Sequence, residues 1–215
     1  MEPPEAADPL RCRQILVELL GPLGEGAPGW ADRLIAEFGS LAAALSAGPE
    51  AQARTLGGAG PAVRHLGTVR RAMLHALRTE AAAGPALSDS TALLDYLSLD
   101  MAHLLTERLR VLFLNAGNRL LCDEVVADGS VNEAPVYPRE IMRRALEVGA
   151  TALIIVHNHP SGDPKPSRGD IEGTRRIADA ARSLGICVHD HLIIARSGWA
   201  SLRALGLLPA GEVRG

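Results

Sequence analysis

The stretch that decides the fold is ALIIVHNHPSGDPKPSRGDI, residues 152–171. It opens on an unbroken apolar run, residues 152–156, followed by polar and turn-forming residues. That is the pattern of a short strand buried on both faces. His157 and His159 stand at its end. Side chains alternate along a strand, so the two imidazoles fall on the same side of the chain. Pro160, Pro164 and Pro166, with Gly162 between them, make a stiff loop that delivers Ser167 and Asp170 to the start of a helix.

Two neutral imidazoles and one carboxylate are zinc ligands, with bonds of about 2.0–2.2 Å. Three protein ligands leave the fourth tetrahedral position open to water, which marks a catalytic rather than a structural site. Each part has a plainer reading. His-x-His at a strand end can be two surface or core histidines, and Ser167-x-x-Asp170 is equally a helix capping box. Asp163 reads as a turn residue only. The combination, joined by a proline-locked loop, points to a metal site. Asp190 is a candidate acceptor for the other ring nitrogen of a metal-bound histidine, or else a polar strand end. His191 belongs to the same polar pair, and His189 has no assigned role.

Outward from this stretch the pattern alternates between strands and helices. Residues 109–114 form an apolar strand that ends at the turn signal Asn115-Ala-Gly, and residues 119–127 return as its hairpin partner. Pro138 opens a helix, Ile141, Ala145 and Val148 mark its buried face, and Gly149 closes it. A second helix runs over residues 167–184 and another strand over 186–195. Upstream, residues 9–83 read as short helices. The clearest spans residues 61–83, with Ala62, Leu66, Val69, Met73 and Leu77 along one stripe. Gly84-Pro85 ends it. The expected division is a helical domain at residues 8–84 and a mixed α/β domain at residues 91–215.

Composition sets the outer bounds. The chain has 215 residues, 47% hydrophobic but only 3% aromatic, so its core rests on Leu, Ala, Val and Ile. A net charge of −3 excludes a globally cationic nucleic-acid protein but not a local basic patch. Residues 51–79 carry Arg54, Arg64, Arg70, Arg71 and Arg78 and no acid. Cys12, Cys122 and Cys187 are distant from one another and odd in number, so no disulfide framework is expected and a reducing cytoplasm is the natural compartment. The start, MEPPEAADPL, does not read as a signal peptide, and no stretch is long enough to span a membrane.

The spacing His157-x-His159-x7-Ser167-x-x-Asp170 resembles the JAMM (MPN-plus) metalloprotease signature. With VNEAPVYPREIMRRAL and DHLII added, residues 104–208 resemble the RadC family. The resemblance implies a JAMM/MPN-type, cytidine-deaminase-like mixed sheet flanked by helices, preceded by a small all-helical domain. It implies one Zn2+ per chain on His157, His159 and Asp170, with Ser167 donating to the oxyanion. It also implies a glutamate at the start of the first strand as general base. Spacing alone does not choose among Glu107, Glu124, Glu133 and Glu140, and the family pattern places that role on Glu107. The implied reaction is hydrolysis of a peptide or isopeptide bond by metal-activated water, in an unknown protein or peptide substrate.

Residues 55–62, TLGGAGPA, resemble the hairpin of a helix-hairpin-helix element, as RadC relatives have here. Such a hairpin offers backbone N–H groups to a phosphate, with Gly58, Gly60, Arg64, Arg70 and Arg71 as candidate nucleic-acid contacts. Ala59 departs from the bulkier apolar residue usual between the glycines, and only one copy is visible. A plain interhelical loop beside a solvated arginine face fits equally well. The alternative function is therefore a DNA-associated accessory protein of repair or recombination, whose zinc site no longer catalyses. A purely structural zinc site is disfavoured because no fourth protein ligand is apparent.

Overall fold

The computed structural model describes residues 8–86, 90–129 and 137–209. The chain divides into two compact units, Met1–Ala76 and Leu77–Gly215. In order, it forms helices α1 (Pro9–Leu20), α2 (Ala27–Phe38), α3 (Leu41–Ser46), α4 (Pro49–Thr55), α5 (Gly60–Ala83) and α6 (Thr91–Met101). The strand hairpin β1 (Glu107–Leu114) and β2 (Leu120–Gly129) follows, then α7 (Pro138–Val148), β3 (Ala152–Asn158), α8 (Arg168–Ser183), β4 (Cys187–Ala195) and β5 (Gly198–Ser201). Among the described residues no helix is long and apolar enough to cross a membrane.

The first unit is helical. Its core is aliphatic, as the low aromatic content requires: Leu16, Leu20, Ala31, Leu34, Ala44, Leu45, Ala62 and Leu66 are buried together. Local signals set its helices. Asp8 caps α1 by accepting the Leu10 N–H, and Ser40 caps α3 by accepting the Ala43 N–H. The stripe expected along α5 is only partly buried. Ala62 and Leu66 are inaccessible, whereas Met73 is 41% exposed.

The second unit is a five-stranded mixed sheet in the order β2-β1-β3-β4-β5. β1 pairs antiparallel with both β2 and β3, β3 runs parallel to β4, and β5 is antiparallel to β4. The central strand β3 is buried along its whole length, which is why its sequence is a continuous apolar run rather than an alternating one. Val111 and Phe113 of β1 and Leu153 and Ile155 of β3 pack with Ile141, Met142 and Ala145 of α7 and Ile177 and Ala181 of α8. Burial of each larger apolar side chain stabilises this layer by about 1.5–3 kcal/mol.

Helix boundaries follow their punctuation. Pro138 lies in the first turn of α7, Glu140 faces the positive end of its dipole, and Gly149 ends it in the left-handed region at φ 68°. The i,i+4 spacing of Glu140 and Arg144 on α7 would allow an ion pair, but the two do not form one. Glu140 meets Arg143, three residues on, while Arg144 crosses to Glu124 on β2. A partner on the neighbouring strand competes successfully with the intrahelical one. Two elements lay outside the expected pattern: α6, which has a weakly segregated apolar face, and the short closing strand β5.

Candidate metal centre

Strand alternation carries the series Leu153, Ile155, His157 along one face of β3, the face covered by α8. His157 is thus the polar end of a buried apolar row, 2% exposed. His159 lies one step past the strand, with its N–H still bonded to the Ile194 carbonyl at 2.9 Å. Loop 160–166 then turns back. Gly162, at φ 92°, lies under the Arg196 guanidinium, and a Cβ there would come within 3.0 Å of it. Arg196 donates to the Ser161 carbonyl and Ser197 to the Gly162 carbonyl, fixing the loop to the end of β4.

The loop ends in a complete capping box. Ser167 Oγ accepts the Asp170 N–H at 3.1 Å, and Asp170 Oδ2 accepts the Ser167 N–H at 2.6 Å. The helix-cap reading and the convergence on the histidines therefore hold together. Asp170 Oδ1 lies 3.3 Å from His157 Nε2, Oδ2 lies 3.4 Å from His159 Nε2, and the two Nε2 atoms are 2.9 Å apart. One ligand atom from each residue fits within 4.8 Å of the others, so this group could hold a metal ion.

The other ring nitrogens are occupied. His159 Nδ1 lies 2.8 Å from the Asp163 carbonyl oxygen, which only accepts, so Nδ1 carries the proton and Nε2 is left with its lone pair. His157 Nδ1 lies 2.7 Å from His191 Nε2, and His191 Nδ1 lies 2.5 Å from Thr174 Oγ1. Burial would raise the Asp170 carboxyl, but the facing imidazoles of His157 and His159, when they carry charge, outweigh it and hold the group well below its ordinary value. The contact with Asp170 raises His159, and burial with the neighbouring His157 pushes His191 well below the ordinary imidazole value.

The four candidate glutamates separate by position. Glu107 opens β1, and its Oε1 is 3.8 Å from His157 Nε2, because Leu109, two residues on, is the register partner of His157. Glu124 is bound to Arg144 and Cys122, and Glu140 to Arg143, both away from the cluster. Glu133 lies outside the described residues.

Asp190 does not take the role offered to it. Its carboxylate accepts from Ser201 Oγ at 2.6 Å and from the backbone N–H groups of His191 and Arg203. Alternation along β4 turns it away from the histidines and turns His191 towards them, so the partner of His157 is His191. His191, Thr174 and the Asp163 carbonyl are the contributors that the sequence left unassigned. Only the DHLII match hinted at the first. His189 sits elsewhere, with Nε2 2.7 Å from Asn118 Oδ1.

In the helical unit, Gly57 and Gly58 both have positive φ between α4 and α5. The hairpin amides expected to be free are already bonded. Gly58 N–H donates to Ala53 at 2.9 Å, Ala59 N–H to Leu56 at 3.4 Å and Gly60 N–H to Gly58 at 2.7 Å. The hairpin closes on its own carbonyls, which corrects the expectation of amides left over for a phosphate. Arg64, Arg70 and Arg71 lie on α5, where Arg71 donates to Thr68 Oγ1.

A five-stranded mixed sheet flanked by helices, following a helical region, is consistent with the JAB/MPN fold. The chain matches the family model of the RadC-like JAB domain over residues 87–207. It is also 47% identical over 178 residues to a UPF0758 protein of Rhodobacter capsulatus, with 83% of each chain covered. The chain belongs to the RadC family.

Proposed function

We propose that this protein is a zinc-dependent hydrolase of peptide or isopeptide bonds, with His157, His159 and Asp170 as the metal ligands. The observation that carries the proposal is the convergence of two imidazole Nε2 atoms, 2.9 Å apart, on one carboxylate 3.3–3.4 Å away. Tetrahedral bonds of about 2.0–2.1 Å imply ligand separations of about 3.3 Å, which both imidazole-to-carboxylate distances match while the two Nε2 atoms stand closer, and the donor chemistry is that of zinc.

Zinc held by such a set supplies Lewis acidity and makes water nucleophilic at neutral pH. The protein's own groups account for the rest of the chemistry. Glu107, beside His157 at the open end of β1, takes the proton from the attacking water and returns it to the leaving amine. Ser167 uses an oxygen lone pair to cap α8 and keeps its O–H proton, which it donates to the developing oxyanion. Asp170 orients through the same cap. Membership of a JAB-domain family supports hydrolysis as the reaction class.

Glu107→Gln tests the reading. The variant should keep zinc and lose at least about 10²-fold in turnover of peptide and isopeptide substrates, within the range for a general acid–base group. A wild-type protein loaded with zinc and inert towards such a panel, or a variant as active as wild type, counts against it.

A further inference from the structure

A chain of hydrogen bonds runs from His157 into the helix that bears Asp170. Its direction follows from its last link. Thr174 Oγ1 lies 2.5 Å from the backbone carbonyl oxygen of Asp170, one turn earlier on α8. A carbonyl oxygen cannot donate, so the threonine O–H donates to it. Having one proton, the hydroxyl can then only accept from His191 Nδ1, 2.5 Å away, which must carry N–H. A neutral His191 protonated at Nδ1 has a bare Nε2, and the His157 Nδ1–H, 2.7 Å away, donates to it. All three side chains are buried, with Thr174 and His191 at 1% and 4% exposure, so water does not supply an alternative partner.

We infer that Thr174 and His191 are positioning residues that lock the His157 tautomer, holding its Nε2 lone pair towards the metal. This rests on the metal-centre reading above and deepens it. The relay starts at one ligand and ends on the backbone of another, so β3, β4 and α8 are placed by the same bonds that set the proton. His159 is set separately, by the Asp163 carbonyl. A free histidine favours neither nitrogen strongly enough to guarantee a ligand, and a wrong tautomer would put an N–H where the metal belongs.

The test begins with the metal-free protein labelled with 15N at histidine, at a pH well above the ordinary imidazole value of about 6.5. Wild type should give His157 a pyrrole-type Nδ1 and a bare, pyridine-type Nε2. Thr174→Val removes the acceptor for His191 with little change of shape. It should disturb that assignment and weaken zinc binding, read by chelator competition, by about 10–100-fold. Thr174→Ser should restore both, while His159 keeps its wild-type tautomer throughout. A wild-type His157 protonated at Nε2 overturns the inference, and needs no variant to be read. So does a Thr174→Val protein with wild-type tautomer and affinity. A wild-type protein that shows the expected tautomer but takes up no zinc supports the relay and refutes the metal-centre reading alone.

Discussion

Asp170 and Ser167 cap each other at the start of α8 while Asp170 also faces His157 and His159. One carboxylate thus fixes the helix end and closes the cluster, so that the ordinary stability of a helix N-terminus holds the site in shape. Ser167→Ala should therefore have two separable effects. Loss of the cap should cost about 1 kcal/mol, read by urea unfolding. Loss of the oxyanion donor should lower turnover by about 10²-fold with zinc content unchanged. Turnover within twofold of wild type would remove Ser167 from the chemistry and leave it as a cap alone.

A second prediction concerns the ion pair beneath β1 and β2. Arg110 is 8% exposed and its guanidinium meets Asp123, whose side chain is inaccessible, together with Asp100 and the Tyr96 hydroxyl. Arg110→Met leaves Asp123 buried without its counter-charge and should destabilise the unit by about 3–5 kcal/mol. Replacing Asp123 by Leu in the same protein should recover much of that loss. A single variant as stable as wild type would show that water reaches the pair.

The same cluster predicts an alkaline weakness. Burial, then the charge of Asp123, pushes the Tyr96 phenol up to about 12. Its ordinary value is about 10. A group raised on folding contributes stability that is complete below its unfolded value and disappears as pH climbs through its folded one. Denaturant stability should accordingly fall between about pH 10 and 12, a window set by those two values. Tyr96→Phe should flatten that fall, while costing about 1 kcal/mol at neutral pH for the lost hydrogen bonds. An unchanged slope in the variant would assign the alkaline loss to other groups.

Much of the α/β unit was legible because its signals are local. Pro138 and Gly149 bound α7, the run at residues 152–156 read as a strand buried on both faces, and the proline loop placed Ser167 and Asp170 on one helix turn. What could not be read depended on distant partners. Whether Asp190 or His191 faces His157 turns on which side of β4 each occupies, and a register irregularity between Leu153 and Ile154 shifts that pairing. Thr174 looks like any threonine on a helix until β4 is laid beside it. Met73 continues the apolar stripe of α5 yet is exposed, since periodicity states which face is apolar and not how far along it a neighbour extends.

The central claim is that His157, His159 and Asp170 hold zinc, and the zinc content of purified protein tests it most directly. Wild type, exposed to zinc and then freed of loose metal by gel filtration, should retain one ion per chain, and Asp170→Asn should retain none while keeping its helical and sheet content. Wild type that emerges without zinc, or an Asp170→Asn protein that carries as much as wild type, would contradict the account.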